Sequence, residues 1–157
     1  GLWCVNSGRA VRVREYYYSG RNEQSQMTDE EYYTELEKLA GNLSIEAVIV
    51  DPSAASFITT IRRHGRFSVR KAKNDVLSGI RLTAVMLKAG VIKIGADCKD
   101  SIREFGLYRW EEKGEADRPI KESDHAMDDI RYFCATVMRR NRETKALLGG
   151  MIGDEED

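Results

Sequence analysis

The sequence predicts a mixed α/β fold: a central β-sheet flanked by helices. Three observations carry that expectation. The run Ile45-Glu46-Ala47-Val48-Ile49-Val50 is almost continuously apolar, as a central strand covered on both faces must be. Near the N-terminus, two extended stretches meet at Asn6-Ser7-Gly8, which supplies hairpin-turn chemistry. Beyond them, helical and extended stretches follow in the order helix, strand, helix, strand, helix. A length of 157 residues suits one domain with a full core, and 41% hydrophobic with 32% charged residues excludes wholesale disorder.

In chain order, Leu2 to Val5 and Ala10 to Tyr18 form the hairpin, with Val11, Val13 and Glu15 alternating with Arg12 and Arg14. Ser19 to Met27 is polar and loop-like. Thr28 and Glu31 make a capping box for a helix over Asp29–Ala40, which Gly41 ends. After Ile45–Val50, Pro52 stops the strand and Ser53 is placed to cap a helix from Ala54 to about Arg63. Phe67–Val69 reads as a short strand. Asp75–Ala89 reads as an amphipathic helix with Val76, Ile80, Thr83, Ala84 and Leu87 on one side, closed by Gly90. Val91–Ile94 is a further strand, Cys98–Leu107 a helix and Tyr108–Glu112 an extended piece. Ser123 to about Arg140 is the last helix, with Met127, Ile130, Cys134 and Val137 at core spacing. The domain is expected over 1–148, with 149–157 a mobile acidic tail.

Several function classes are disfavoured. The net charge of −1 does not itself point to nucleic acid, so any such contact must come from a local patch. Cys4, Cys98 and Cys134 are too few and too scattered for a disulfide framework, and with only His64 and His125 a structural zinc site is not expected. No membrane-length apolar run or signal peptide is evident, which predicts a soluble, cytoplasmic protein. The first residues already read as a strand, so the chain is expected to be a fragment of a longer protein. No G-x-x-x-x-G-K-[ST], G-x-S-x-G or H-E-x-x-H pattern occurs. Cys98 and Cys134 fall at core positions, against a cysteine–histidine nucleophile.

Three constellations carry chemistry. Asp51 ends a central strand, at the sheet edge where α/β proteins place ligands, although Asp-Pro-Ser also suits a plain turn. Asp124, His125 and Asp128 project from one side of the first turns of a helix and have the donor types for a metal or a positioned water. The helix dipole alone also favours acids there. Arg62, Arg63, Arg66, Arg70, Lys71 and Lys73 form a stripe without an acid, suited to phosphates or to a solvated face. Tyr16-Tyr17-Tyr18 suits base stacking, and equally strand packing.

The stretches Gly1-Leu2-Trp3, Glu15-Tyr16-Tyr17-Tyr18, Val48-Ile49-Val50-Asp51-Pro52-Ser53-Ala54, Asp75-Val76-Leu77-Ser78-Gly79-Ile80, Tyr108-Arg109-Trp110 and Pro119 to Tyr132 resemble, in order, the nuclease domain of bacteriophage or prophage terminase large subunits. The resemblance implies an RNase H-like fold and hydrolysis of double-stranded DNA with two Mg²⁺ or Mn²⁺ ions during DNA packaging. It implies Asp51 and Asp128 as catalytic, metal-holding aspartates, with His125 beside them and Asp124 a further candidate ligand. Lys121, by its position, is a candidate for the scissile phosphate. It also implies, in the parent protein, an N-terminal ATPase domain and dealings with a small terminase subunit and a portal or procapsid. One departure matters: the family's first catalytic aspartate lies on a strand that here would precede Gly1. Weak or absent cleavage by this chain is therefore expected. The alternatives are another RNase H-like nuclease such as a resolvase, or a non-catalytic module docking DNA or a procapsid.

Overall fold

The computed structural model describes residues 1–19, 25–107 and 124–149. Strands β1 (Leu2–Asn6) and β2 (Arg9–Arg14) form the expected hairpin, paired antiparallel from Asn6↔Arg9 upward. Its two-residue turn holds Ser7 and Gly8 at φ 47° and 73°, the left-handed conformations that fit a turn to the strands' twist. β2 stops at Arg14, short of the expected Tyr18, because Glu15 and the tyrosines turn away to serve neighbouring elements. The inward face of β2 carries Ala10 and Arg12, not the valines.

Helix α1 (Asp29–Ala40) starts at the Thr28/Glu31 capping box: the Glu31 N–H donates to Thr28 Oγ1, and the Thr28 N–H to Glu31 Oε2 at 2.7 Å. β3 (Val48–Val50) leads to α2 (Ala55–His64), closed by Gly65 in the left-handed conformation. Ser53 does not cap α2. Ala54 occupies that position without a side-chain bond, and Ser53 instead binds Asp51. β4 is Val69–Lys71, two residues later than expected, because Phe67 turns into the core. Asp75 caps α3 (Val76–Lys88) by accepting the Ser78 N–H. The buried face of α3 is Gly79, Leu82 and Met86, rotated from the apolar stripe in the sequence. A β-carbon on Gly79 would lie 2.8 Å from Arg131 Cγ, so this glycine is what lets the helix close on its neighbour. β5 (Ile92–Ile94) and α4 (Lys99–Leu107) follow.

The last expected helix is broken. α5 spans His125–Thr136, a 3₁₀ turn covers Met138–Arg140, and α6 (Arg142–Leu148) starts anew from Asn141, whose side chain accepts the Glu143 and Thr144 N–H groups. The expectations for Tyr108–Glu112, Lys121, Ser123 and most of the acidic tail lie outside the described residues.

The architecture is mixed α/β, a central sheet flanked by helices. The sheet comes in two hydrogen-bonded portions. One is mixed, in the order β1-β2-β5, with β2 and β5 parallel. The other is the parallel pair β3-β4. Each portion has its own core. Ala10, Ile92, Met86, Ile130, Cys134 and Met138 fill the first. Tyr33, Val50, Ile58, Ile61 and Phe67 fill the second. Helix α5 touches both portions. Phe133 stacks on Trp3 of β1 with ring centroids 4.0 Å apart, and Tyr132 bonds Asp51 at the end of β3.

Candidate functional site

Asp51 follows β3 directly, and local and distant donors together fix its carboxylate. The Ser53 N–H and hydroxyl both donate to Oδ1 at 2.8 Å, and the Tyr132 hydroxyl donates to Oδ2 at 2.6 Å. The bond from Tyr132, with those from Ser53 and the charge of Arg131, holds the acid below the usual carboxylate range against the opposing effect of burial. Tyr132 responds in the opposite sense: burial, the bond to Asp51 and the charges of Asp128 and Asp51 push its phenol up to about 12. It therefore remains a donor at neutral pH.

Asp128 stands one helical turn before Tyr132, so both face the same side of α5. Its Oδ1 accepts from Arg131 Nη2 at 2.8 Å and Nε at 3.3 Å. Arg131 is 4% exposed and also donates to Asn74 Oδ1 at 3.1 Å. One buried guanidinium thus ties the acidic turn of α5 to the loop that follows β4.

A groove of about 780 Å³ opens between the two portions of the sheet. Gly1 to Val5 line one wall and Ile45 to Asp51 the other; α5 adds His125, Asp128, Asp129, Tyr132 and Phe133, and Arg70 also reaches the groove. Among the described residues β1 pairs only with β2, and β3 only with β4, so each strand turns an unpaired edge to the groove. Asp51, His125 and Asp128 thus line one groove. Asp124 begins α5 without a side-chain capping bond and does not line the groove. Asp129, which the sequence reading passed over, does, and it is ion-paired with the buried Arg12. The doubled Asp128-Asp129 was the available signal; the partner 117 residues away was not.

Carboxylate oxygens are the donor type for Mg²⁺ or Mn²⁺. The described residues nevertheless contain no group of three or more His, Cys, Asp or Glu side chains placed to hold a metal ion. They fit such an ion in kind but not in number.

The basic stripe is divided by the fold. Arg63 pairs with Glu30, Arg66 with Glu37 at 3.4 Å and Arg70 with Glu46 at 3.3 Å, while Arg62 is exposed on α2. Lys71 and Lys73 instead join Arg140, with Arg70, Thr136 and Val137, around a second cavity of about 270 Å³. The Lys73 N–H donates to Thr136 Oγ1 at 2.9 Å, and Lys71 is in register with Val50, next to Asp51. Tyr17 and Tyr18 are engaged in the fold, Tyr17 with Glu104 and Tyr18 with Ser25 and the edge of Tyr32. Burial raises the Cys98 thiol and pushes the Cys134 thiol up to about 12, so neither is an activated nucleophile. Among the described residues no helix is long and apolar enough to cross a membrane.

Fold and groove together define a mixed α/β domain with paired acids where its two sheet portions meet. No family model matches the sequence, and no curated protein matches it closely. Solved structures do. The large terminase from a thermophilic bacteriophage, in complexes with ADP and with ATP-gamma-S, matches at 44% identity over 88% of this chain, with a TM-score of 0.84. Another crystal form of that protein matches with a TM-score of 0.83. The chain is thus a relative of a phage large terminase and spans 36% of that protein's length.

Proposed function

We propose that this chain is the nuclease domain of a phage DNA-packaging terminase, cutting double-stranded DNA with Mg²⁺ or Mn²⁺. The observation that carries this reading is the convergence of Asp51, His125 and Asp128 on one groove, with Tyr132 linking the strand acid to the helix that bears the other. Asp51 and Asp128 are the residues that would hold metal, and Asp129 and His125 adjoin them. When bound, the ions would supply an activated water and charge stabilisation at the phosphate. Tyr132 and Ser53 keep Asp51 ionised and fixed in orientation, and Arg131 fixes the orientation of Asp128. Lys71, Lys73 and Arg140, beside the end of β3, suit the phosphate backbone of the duplex. Arg62, Arg63, Arg66, Arg70 and Lys121 remain candidates for the same role.

The groove adds a specific expectation. Two unpaired strand edges flanking one apolar slot are a template for a further strand. A segment preceding Gly1 in a longer chain is the proposed occupant, and an acid at its end would complete the donor set that is short here. The ATPase domain, the small terminase subunit and the portal or procapsid would be partners of that longer protein in the cytoplasm of the bacterial host.

The test is nicking of supercoiled plasmid in Mn²⁺ by this chain and by one extended upstream through the next strand. The extended chain is expected to nick, this chain to nick weakly or not at all, and Asp51→Asn or Asp128→Asn to abolish cleavage in the extended chain. Undiminished cleavage by either variant would sink the assignment. A second reading, a duplex-docking module without chemistry, draws on the incomplete donor set. Salt-sensitive duplex binding by an extended chain that never cleaves would favour it.

A further inference from the structure

The acidic turn of α5 lacks the usual local anchor. Asp124 stands at its N-cap, yet makes no side-chain bond to the helix. The first backbone N–H groups of a helix need an acceptor, and burying them without one is costly. Here the acceptor arrives from another helix. Glu104 of α4 is fully buried, its Oε2 accepting the Ala126 N–H at 2.7 Å and the Met127 N–H at 3.2 Å. Its other oxygen accepts the Tyr17 hydroxyl at 2.6 Å.

The helix that carries Glu104 is itself held from the other side. Glu15, just beyond β2, accepts the Asp100 and Ser101 N–H groups at 2.7 and 3.2 Å and the Ser101 hydroxyl at 2.6 Å. Glu15 lies 3.6 Å from the buried Arg12, which pairs with Asp129 back on α5. The polar contacts close a ring: from Asp129 to Arg12, to Glu15, to α4, to Glu104, and back to the first turn of α5. Two anions from elsewhere in the chain each sit on a helix N-terminus, where the dipole favours them.

We infer that Glu104 is a positioning residue for the acidic groove: by capping α5 from outside, it sets where His125 and Asp128 stand relative to Asp51. Glu104 itself does not line the groove. Its effect on metal binding rests on the reading given under Proposed function, whereas its hold on α5 does not.

The experiment compares Glu104→Ala and Glu104→Gln with the unaltered protein. The glutamine is the conservative rescue: its carbonyl can accept both N–H groups while its amide donates to the Tyr17 oxygen. Amide hydrogen exchange in this chain reads the cap directly. Glu104→Ala should speed exchange at Ala126 and Met127 and leave Ile61, in the other core, unchanged. In the chain extended upstream, Mn²⁺ titration should show affinity falling about tenfold or more in Glu104→Ala, the scale of lost outer-shell support, and recovering in Glu104→Gln. The inference is overturned if Glu104→Ala binds Mn²⁺ like the unaltered protein, if Glu104→Gln is no better than Glu104→Ala, or if exchange rises uniformly across the chain. If the unaltered extended chain binds no Mn²⁺, the nuclease reading falls, and exchange at Ala126 and Met127 alone decides whether Glu104 holds the turn.

Discussion

The strand acid Asp51 and the helix acid Asp128 reach the groove from parts of the molecule held by different physics. The β1-β2-β5 portion and α5 are knitted by buried charge: Arg12, Glu104 and Arg131 are all 4% exposed or less. The β3-β4 portion is held by aromatic packing, Tyr33 against Phe67 and His64, and its ion pairs lie on the surface. Asp128 therefore belongs to a rigid polar framework. Asp51 belongs to a layer joined to that framework by few bonds, among them Tyr132 to Asp51, Lys73 to Thr136, Arg131 to Asn74 and Arg14 to the Leu39 carbonyl. The relative placement of the two acids depends on that seam.

The largest effect should come from the buried framework. Arg12→Met removes the shared partner of Glu15 and Asp129, leaving an uncompensated charge inside the protein. A loss of about 3–5 kcal/mol in urea unfolding is expected. A loss no larger than that of a surface pair would erase the contrast between the portions.

Next comes the seam. Tyr132→Phe removes a hydrogen bond to a charged, partly exposed carboxylate, for about 1.5 kcal/mol. Its pH dependence has a definite sign. The folded-state value of Asp51 is depressed, so its contribution is present above the unfolded value, near 3.9, and is lost as pH falls through the folded value. The difference between Tyr132→Phe and the unaltered protein should therefore be full at neutral pH and close in acid. An acid-independent difference would mean the bond does not act through the ionised carboxylate.

Gly79→Ala should act next, through Arg131, which serves both the framework and the seam. The added carbon presses on Arg131, at about 1–3 kcal/mol for overpacking, offset by about 1 kcal/mol of helix propensity. Because Arg131 also holds Asp128, Mn²⁺ affinity in the extended chain should fall along with the urea midpoint.

The legibility of the sequence divides along the same line. What neighbours in sequence decide could be read: the Thr28/Glu31 box, the Asn6-Ser7-Gly8 turn and the stop at Gly41. What distant residues decide could not. The face of α3 was misjudged because Gly79, which carries no hydrophobic signal, lies on the buried side against Arg131 of α5. The expected helix to about Arg140 ends at Thr136 and continues as a 3₁₀ turn, and the separate helix capped by Asn141 was not foreseen. Asp51 and Asp128 were visible as acids at the ends of elements. Nothing local in the sequence marks Arg12 or Glu104 as buried anchors, since their partners lie 117 and 22 residues away.

The smallest expected effect is the most diagnostic of the β3-β4 portion. Glu30 accepts from both Arg63 and His64, and all three side chains are substantially exposed, at 53%, 65% and 38%. Solvent and salt screen such a cluster, and ordering long side chains offsets most of what remains. Glu30→Gln should leave the urea midpoint unchanged within error, at low salt and at high. Arg12→Met should remain destabilising at both ionic strengths, because Arg12 and Glu15 lie beneath the surface, at 3% and 7% exposure, even though Asp129 reaches solvent. A salt-dependent loss in Glu30→Gln comparable to that of Arg12→Met would show that the surface pairs, not the aromatic core, hold Asp51's half of the groove in place.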